Sequence, residues 1–386
     1  MNATLSASRT TLYLTYALML FGFASISSTR ILLSLNALHL GAPASTVGAV
    51  VACLYIFPVL ASWHVGRYSD RVGARGPLLI AAVTGACALL IPFFFRNFGA
   101  LYVSAALMGV AFTFYNVLLP NIVGVISEPH ERARNFSNAS LVGAATLFAG
   151  PLLAGIAVDA VGPAVACLYL LVLSFGAGLL LVFWGRLLPG GTPAVGPAAG
   201  IRKTLADPQI RSALITSSLV QVGQDLYQFY IPVYGHGIKL SASAIGGVLS
   251  AMASASFVVR FALPRLISRY GEQRILAYSF CLTAGGFCLM PLFENVFALA
   301  LISFVFGLGM GCGQPITTML IFSRSAEGRS GETLGVRQAV NNLLRVLGPS
   351  VFGVVASAFG LAFVFWLSAA MMGGGALASR PRSGNA

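Results

Sequence analysis

Twelve apolar stretches, beginning near Thr11, Ser45, Pro77, Gly99, Ser137, Val165, Ser212, Ser241, Ile275, Val296, Thr333 and Leu361, follow one another with only short polar breaks. Each approaches the ~20 apolar residues that cross a hydrocarbon layer as a helix. A backbone inside lipid must satisfy its own N–H and C=O groups, so helices are the expected solution. Composition agrees: 57% of the 386 residues are hydrophobic and 9% are charged, whereas soluble domains carry ~25% charged residues. The first run is too long for the apolar segment of a signal peptide and no small-residue cleavage site follows it, so it is expected to stay as a span. No large soluble domain is expected in the short remainder.

The formal net charge of +13 would suggest nucleic acid as a partner of a soluble protein. In a membrane protein the bias of Lys and Arg toward cytoplasmic loops explains it better. With the N-terminus inside, 17 of the 23 Lys and Arg fall in cytoplasmic segments, from Arg9, Arg67, Arg71 and Arg75 to Arg380 and Arg382. Only Arg96 and Lys239 face outward, and Arg30, Arg260, Arg337 and Arg345 lie within spans. The pattern predicts an integral inner or plasma membrane protein with both termini cytoplasmic. The lipid bilayer is its surroundings and nucleic acid is not a partner.

The six cysteines (Cys53, Cys87, Cys167, Cys281, Cys288, Cys312) sit in apolar runs without a CxxC pair and read as small buried hydrophobes. The four histidines have no metal-ligand spacing. Neither a metal nor a cofactor is expected, and nothing resembles a catalytic cluster or a nucleotide-binding loop.

One offset, 198 residues, recurs along the chain: Arg71 and Gly73 match Arg269 and Gly271, Gly109 matches Gly307, Gly150-Pro151 and Gly155 match Gly348-Pro349 and Gly353, and Gly162 matches Gly360. Ordered matches at one spacing predict two pseudo-symmetric six-helix halves, 1–184 and 206–386. Residues 185–205, which include PGGTPAVGPAAG, have linker composition.

GRYSDRVGAR, Gly66 to Arg75, with its three arginines and an aspartate, reads as the short cytoplasmic loop between the second and third spans. It resembles the signature of the major facilitator superfamily, glycine-x-x-x-aspartate-arginine-x-glycine followed by basic residues. Gly66, Asp70, Arg71, Gly73 and Arg75 match, and Ala74 stands where a basic residue is usual. The resemblance covers the whole chain and implies an all-α membrane protein with twelve transmembrane helices in the major facilitator fold. It implies that these five residues form a cytoplasmic gate, Asp70 meeting the N-terminus of span eleven, where the helix dipole favours a negative charge. The second half has Ser268 in the aspartate's place, so the latch is expected on one side only.

Ionisable groups within spans cost ~2.5–3.5 kcal/mol each and are functional candidates. Arg260 and Arg337 are expected to snorkel from span ends; Arg30, Asp225 and Arg345 lie deeper. Gln221, Gln224, Asp225 and Gln228 share one face of span seven at i, i+3, i+4 and i+7. The repeat places Ser27 opposite Asp225 and Leu147 opposite Arg345, so neither charge is duplicated. Gln338, Asn341, Asn342 and Arg345 mark a second polar face in span eleven, open to two readings, substrate contact or clamping between halves. Gln314 and its counterpart Asn116 supply amides in spans ten and four, as cavity or scaffold. Arg30, across from span seven by resemblance, is a candidate partner for Asp225.

GPLLAG, Gly150 to Gly155, resembles a signature the superfamily associates with exporters, and GPSVFG, Gly348 to Gly353, repeats part of it as a shared element of bending and packing. The chain departs from the family's drug exporters at Ala105, where an arginine is usual, and at Arg30, where many carry an acid. Together these readings imply a secondary active transporter of a small organic molecule, working by alternating access with proton-coupled export. Uptake or uniport of an anionic metabolite is the alternative, and a non-transporting receptor on the same fold is the reading from another class. A monomer is the default.

Overall fold

The computed structural model describes residues 2–42, 44–191, 205–240 and 242–379. Twelve long helices fill most of them: α1 (Asn2–His39), α2 (Ala44–Val72), α3 (Arg75–Phe94), α4 (Phe98–Ile126), α5 (Arg132–Val161), α6 (Pro163–Trp184), α7 (Pro208–Gly237), α8 (Ala242–Tyr270), α9 (Glu272–Leu289), α10 (Val296–Arg324), α11 (Ser330–Phe359) and α12 (Leu361–Ala378). There is no strand among the described residues. Eleven helices are long and apolar enough to cross a membrane. The twelfth, α7, has the length but carries the polar stripe around Asp225, which lowers its mean hydropathy. Its start is fixed by Asp207, whose carboxylate accepts from Gln209 N at 2.8 Å and Ile210 N at 3.4 Å, with Pro208 in the first turn.

The repeat seen in the sequence recurs in the backbone. Gly73 and Gly271 end α2 and α8 with φ of 85° and 79°, and Gly162 and Gly360 follow α5 and α11 with 79° and 84°, a region L side chains avoid. Asn97 and Asn295 both turn their Oδ1 to a backbone N–H of the next helix, at 2.8 Å. Gly109 lets α4 approach α2 so closely that a methyl would lie 2.7 Å from Leu54 O, and Gly307 brings α10 against Met252 O of α8 in the same way. The obstructing atoms are backbone in both cases. We expect Gly307→Ala to destabilise the protein by about 1–3 kcal/mol, the cost of overpacking a close contact; thermal unfolding in detergent would read it as a lowered Tm.

The chain forms two compact units, one of Met1–Asn135, Leu141–Arg202 and Phe322–Asn342, the other of Phe136–Ser140, Lys203–Ile321 and Leu343–Ala386. The first is built on α4, which packs along α2, α3 and α1, and buries Leu18, Leu78, Leu101 and Met108. The first turns of α11 belong to it. In the second, α9 lies along α12, and Tyr227 stacks on Phe306 at 4.5 Å while Phe287 meets the same ring edge-on at 4.8 Å.

Four expectations need correction. Gly66 to Val72 is not loop: α2 continues through it to Gly73, because nothing before that glycine breaks a helix. Cys87, Cys281 and Cys288 are exposed on their helices, and only Cys167 and Cys312 are fully buried; an apolar helix turns one face to lipid, which accepts a thiol. Arg260 and Arg337 do not snorkel. Arg337 is 7% exposed, and Arg260 donates to Gly311 O at 3.3 Å and Ser140 O at 2.9 Å, backbone acceptors that replace water. The shared glycine-proline packing holds only for Gly150, which presses on Ser27, whereas Gly155, Gly348 and Gly353 have open space beside Cα. Residues 192–204 of the expected linker, Arg380, Arg382 and the side chains of Pro151 and Pro349 lie outside the described residues.

Candidate functional site

In the first unit, α2 presents Trp63, Gly66 and Asp70 on one face, two turns long, to the start of α11. Asp70 Oδ1 accepts from Gly331 N at 3.0 Å and Oδ2 from Glu332 N at 2.8 Å. These are two of the first N–H groups of a helix, which have no acceptor of their own. Asn121 of α4 adds a third donor at 3.4 Å. Close approach is permitted by glycine on both helices, since a methyl on Gly66 would collide with Gly331 O and one on Gly335 with Ser62 O.

Of the five expected gate residues, Gly66 and Asp70 therefore meet α11. Arg71 is exposed, Arg75 donates instead to Val182 O of α6 at 3.4 Å, and Gly73 turns the chain against Gly190 and Gly191. Sequence reasoning missed Trp63 and Glu332. Glu332 is 3% exposed, and its Oε1 accepts from Trp63 Nε1 at 3.1 Å, a second tie between the same helices. The available signals were the Gly331-x-x-x-Gly335 spacing and a tryptophan seven residues before Asp70, on the same helical face.

In the second unit, four of the expected substrate or proton residues form one network. Arg345 Nε lies 3.3 Å from Asp225 Oδ2 in an ion pair whose side chains are 31% and 25% exposed. Gln221 Nε2 donates to both Asp225 oxygens at 3.0 Å, and Gln314 Nε2 donates to Gln221 Oε1 at 2.9 Å. The network thus runs α10 to α7 to α11. Gln224 is half-buried and Gln228 exposed on the same helix.

Within the second unit the counter-charge of Asp225 is Arg345. Arg30 belongs to the first unit, is exposed, and donates to Tyr55 Oη at 3.4 Å. Asn116 turns back to Phe112 O of its own helix at 3.0 Å. Gln338, Asn341 and Asn342 are buried in the first unit, with Asn342 donating to Gln338 O; the polar face of α11 is therefore divided between the units. No group of three or more potential metal ligands occurs among the described residues.

Twelve long helices, nearly all apolar, with a few charged groups held against carbonyls, helix ends or one another, define a polytopic helical membrane protein. The family model described as Major Facilitator Superfamily matches residues 12–292 and 240–384. The chain belongs to that superfamily, and it is a membrane transporter, not an enzyme. Among similar proteins are the uncharacterized MFS-type transporter YuxJ of Bacillus subtilis (strain 168), 25% identical over 85% of this chain and 86% of its own, and the multidrug resistance protein MdtG of Dickeya zeae (strain Ech586), 24% identical over 84% and 81%. The fold is shared with the crystal structure of the human organic anion transporter MFSD10 (TETRAN), with a TM-score of 0.81 at 15% identity over 97% of this chain and 99% of that one. A bacterial homologue of the iron transporter ferroportin in the outward-facing state gives 0.77 at 14% identity, over 95% and 98%.

Proposed function

We propose that this transporter couples the export of a small organic molecule to protons through Asp225, in the inner or plasma membrane with both termini cytoplasmic. The observation that carries the reading is the Asp225–Arg345 pair on helices α7 and α11. A carboxylate that trades an arginine for a neutral neighbour binds a proton more readily, so an alternation that parts the two would load Asp225 and one that rejoins them would release it. Export is supported by relatives named multidrug resistance proteins. Orientation is supported by the excess of Lys and Arg in one set of loops.

The test is proton flux into proteoliposomes, followed with an internal pH dye as organic anions and cations are added. Wild type should respond to one class, and Asp225→Asn should lose that response; equal responses would assign Asp225 to structure only. Arg30 favours a second reading, an anionic substrate, because it is an exposed guanidinium on a spanning helix with a phenol as its neighbour. A flux driven by anions and weakened in Arg30→Gln would support it; a flux driven by cations alone would reject it.

A further inference from the structure

The repeat supplies an internal control for the turns that join α2 to α3 and α8 to α9. RVGARG, Arg71 to Gly76, stands opposite RYGEQR, Arg269 to Arg274. In the first unit the turn is covered by the chain that follows α6. Ala74 N donates to Pro189 O at 3.4 Å, and a methyl on Gly73 would lie 2.8 Å from Gly191 N. Arg75 is drawn onto Val182 O and packs on Gly185. In the second unit the equivalent place is open among the described residues. Gly271 has no atom near where a methyl would stand, and a notch of ≈ 440 Å³ opens there, lined by Ile267, Tyr270, Gly271, Glu272, Gln273 and Arg274. That volume lies in the ~300–1,000 Å³ range of small-molecule sites.

Positive charge dominates this notch. Arg274 lines it and is exposed, Arg269 lies over the Tyr270 ring in its wall at 5.3 Å, and Arg265 is exposed one turn earlier on the same face of α8. Three arginines against the single carboxylate of Glu272 leave a surplus of two positive charges. None of these guanidinia forms an ion pair among the described residues. Beyond the arginines both helices turn apolar side chains outward: Phe261 and Val258 one and two turns before Arg265, Tyr278 and Leu282 one and two turns after Arg274. The two spans meet at this turn, one ending at Tyr270 and the other starting at Glu272, so the arginines stand where hydrocarbon gives way to headgroups. The sequence after α12, RPRSGNA, brings two more arginines, and like charge opposes its lying in the notch. A free anion would satisfy the guanidinia and leave the apolar flanks unused; an anionic phospholipid matches both.

We propose that the notch between α8 and α9 binds the headgroup of an anionic phospholipid. Arg274, inside the notch, binds the phosphate, and Arg269, held over the ring of Tyr270, adds a second positive charge at its wall. The acyl chains lie along the exposed apolar side chains of the two helices, beginning with Phe261 and Tyr278. The headgroup takes the place that Pro189 to Gly191 hold in the first unit, so a lipid clasps one turn where the chain itself clasps the other. The site shares no residue with the Asp225 network or the Asp70 contact and depends on neither proton coupling nor the direction of transport. Only its assignment to the cytoplasmic leaflet rests on the orientation proposed above.

The experiment titrates phosphatidylglycerol, and separately phosphatidylcholine with the same acyl chains, into the full chain in detergent and counts bound lipids by native mass spectrometry. Wild type should bind its first phosphatidylglycerol more tightly than its first phosphatidylcholine. Arg269→Gln with Arg274→Gln should weaken that first binding about 30-fold, roughly fivefold for each arginine near an anionic group. Arg186→Gln with Arg211→Gln removes the same charge from exposed arginines outside the notch and should leave it within about twofold, because screening confines a surface charge to its own neighbourhood. Only exposed side chains are changed, so all three proteins should elute as a single species. A wild type that binds the two lipids equally overturns the site. Equal losses in the two double variants overturn it as well, reducing the preference to a general attraction of basic loops. Excess inorganic phosphate, compared with sodium chloride at the same ionic strength, should not displace the lipid; displacement would mean that the notch takes the anion alone and would overturn the lipid as its occupant.

Discussion

Asp70→Ala should release the start of α11 from α2. The carboxylate is the acceptor for Gly331 N and Glu332 N, and a part-buried N–H left without a partner costs about 1–3 kcal/mol. Losing both is worth about 2–4 kcal/mol against the joined arrangement, a change of ~30-fold to ~1000-fold in its population. Asp70→Asn keeps one acceptor oxygen and should fall between wild type and alanine. The measurement is maleimide labelling of Ser62→Cys in a background without the native cysteines, because Ser62 is fully buried where α2 meets Gly335. Labelling should accelerate in the order wild type, Asp70→Asn, Asp70→Ala. Equal rates would mean that Asp70 does not hold the two helices together and would remove the basis for a gate there.

Gly66→Ala should have an effect of the same sign with Asp70 intact. The added methyl would fall on the Gly331 carbonyl oxygen, a backbone atom that no side-chain rotation can move aside. Relief requires the helices to part, and overpacking of this kind costs about 1–3 kcal/mol, or about 5-fold to 160-fold in the joined population. The two substitutions act on one contact, so the double variant should label no faster than the stronger single variant, in contrast to independent sites, whose effects add. Full additivity would show that Gly66 and Asp70 serve different contacts. Trp63→Phe, which removes the donor to Glu332 but keeps the aromatic bulk, should give a smaller acceleration, since one hydrogen bond is worth about 1 kcal/mol. None of the three side chains changed belongs to the Asp225 network, so labelling at Ser62 reads the contact of α2 with the start of α11 apart from proton flux.

What the sequence determined by itself follows from periodicity and from the cost of polar groups in lipid. Apolar stretches of spanning length dictate helices because no other open-chain structure satisfies its backbone in a bilayer, and the 198-residue offset located the glycines that end α2, α5, α8 and α11. Asp70, Asp225 and Arg345 stood out as charges because an apolar chain holds so few. The pairing of Asp225 with Arg345 was not legible. Asp225 pairs within its own unit with Arg345, which lies 120 residues further along, a partner that sequence spacing does not point to. Asp70 was expected at the start of α11, yet the backbone groups it binds and the Trp63–Glu332 tie depend on the helical phase of α2 against α11, which no local pattern encodes.

The end of α2 shows the same division. The signature residues were read as a loop because they are charged, whereas a helix continues wherever its hydrogen bonds are satisfied and no breaker intervenes. The open space at Gly348 and the closed one at Gly150 make the point most directly. The two glycines occupy equivalent places in the repeat. Only the neighbours brought up by tertiary packing decide that one is a tight helix contact against Ser27 and the other borders a small, largely apolar crevice.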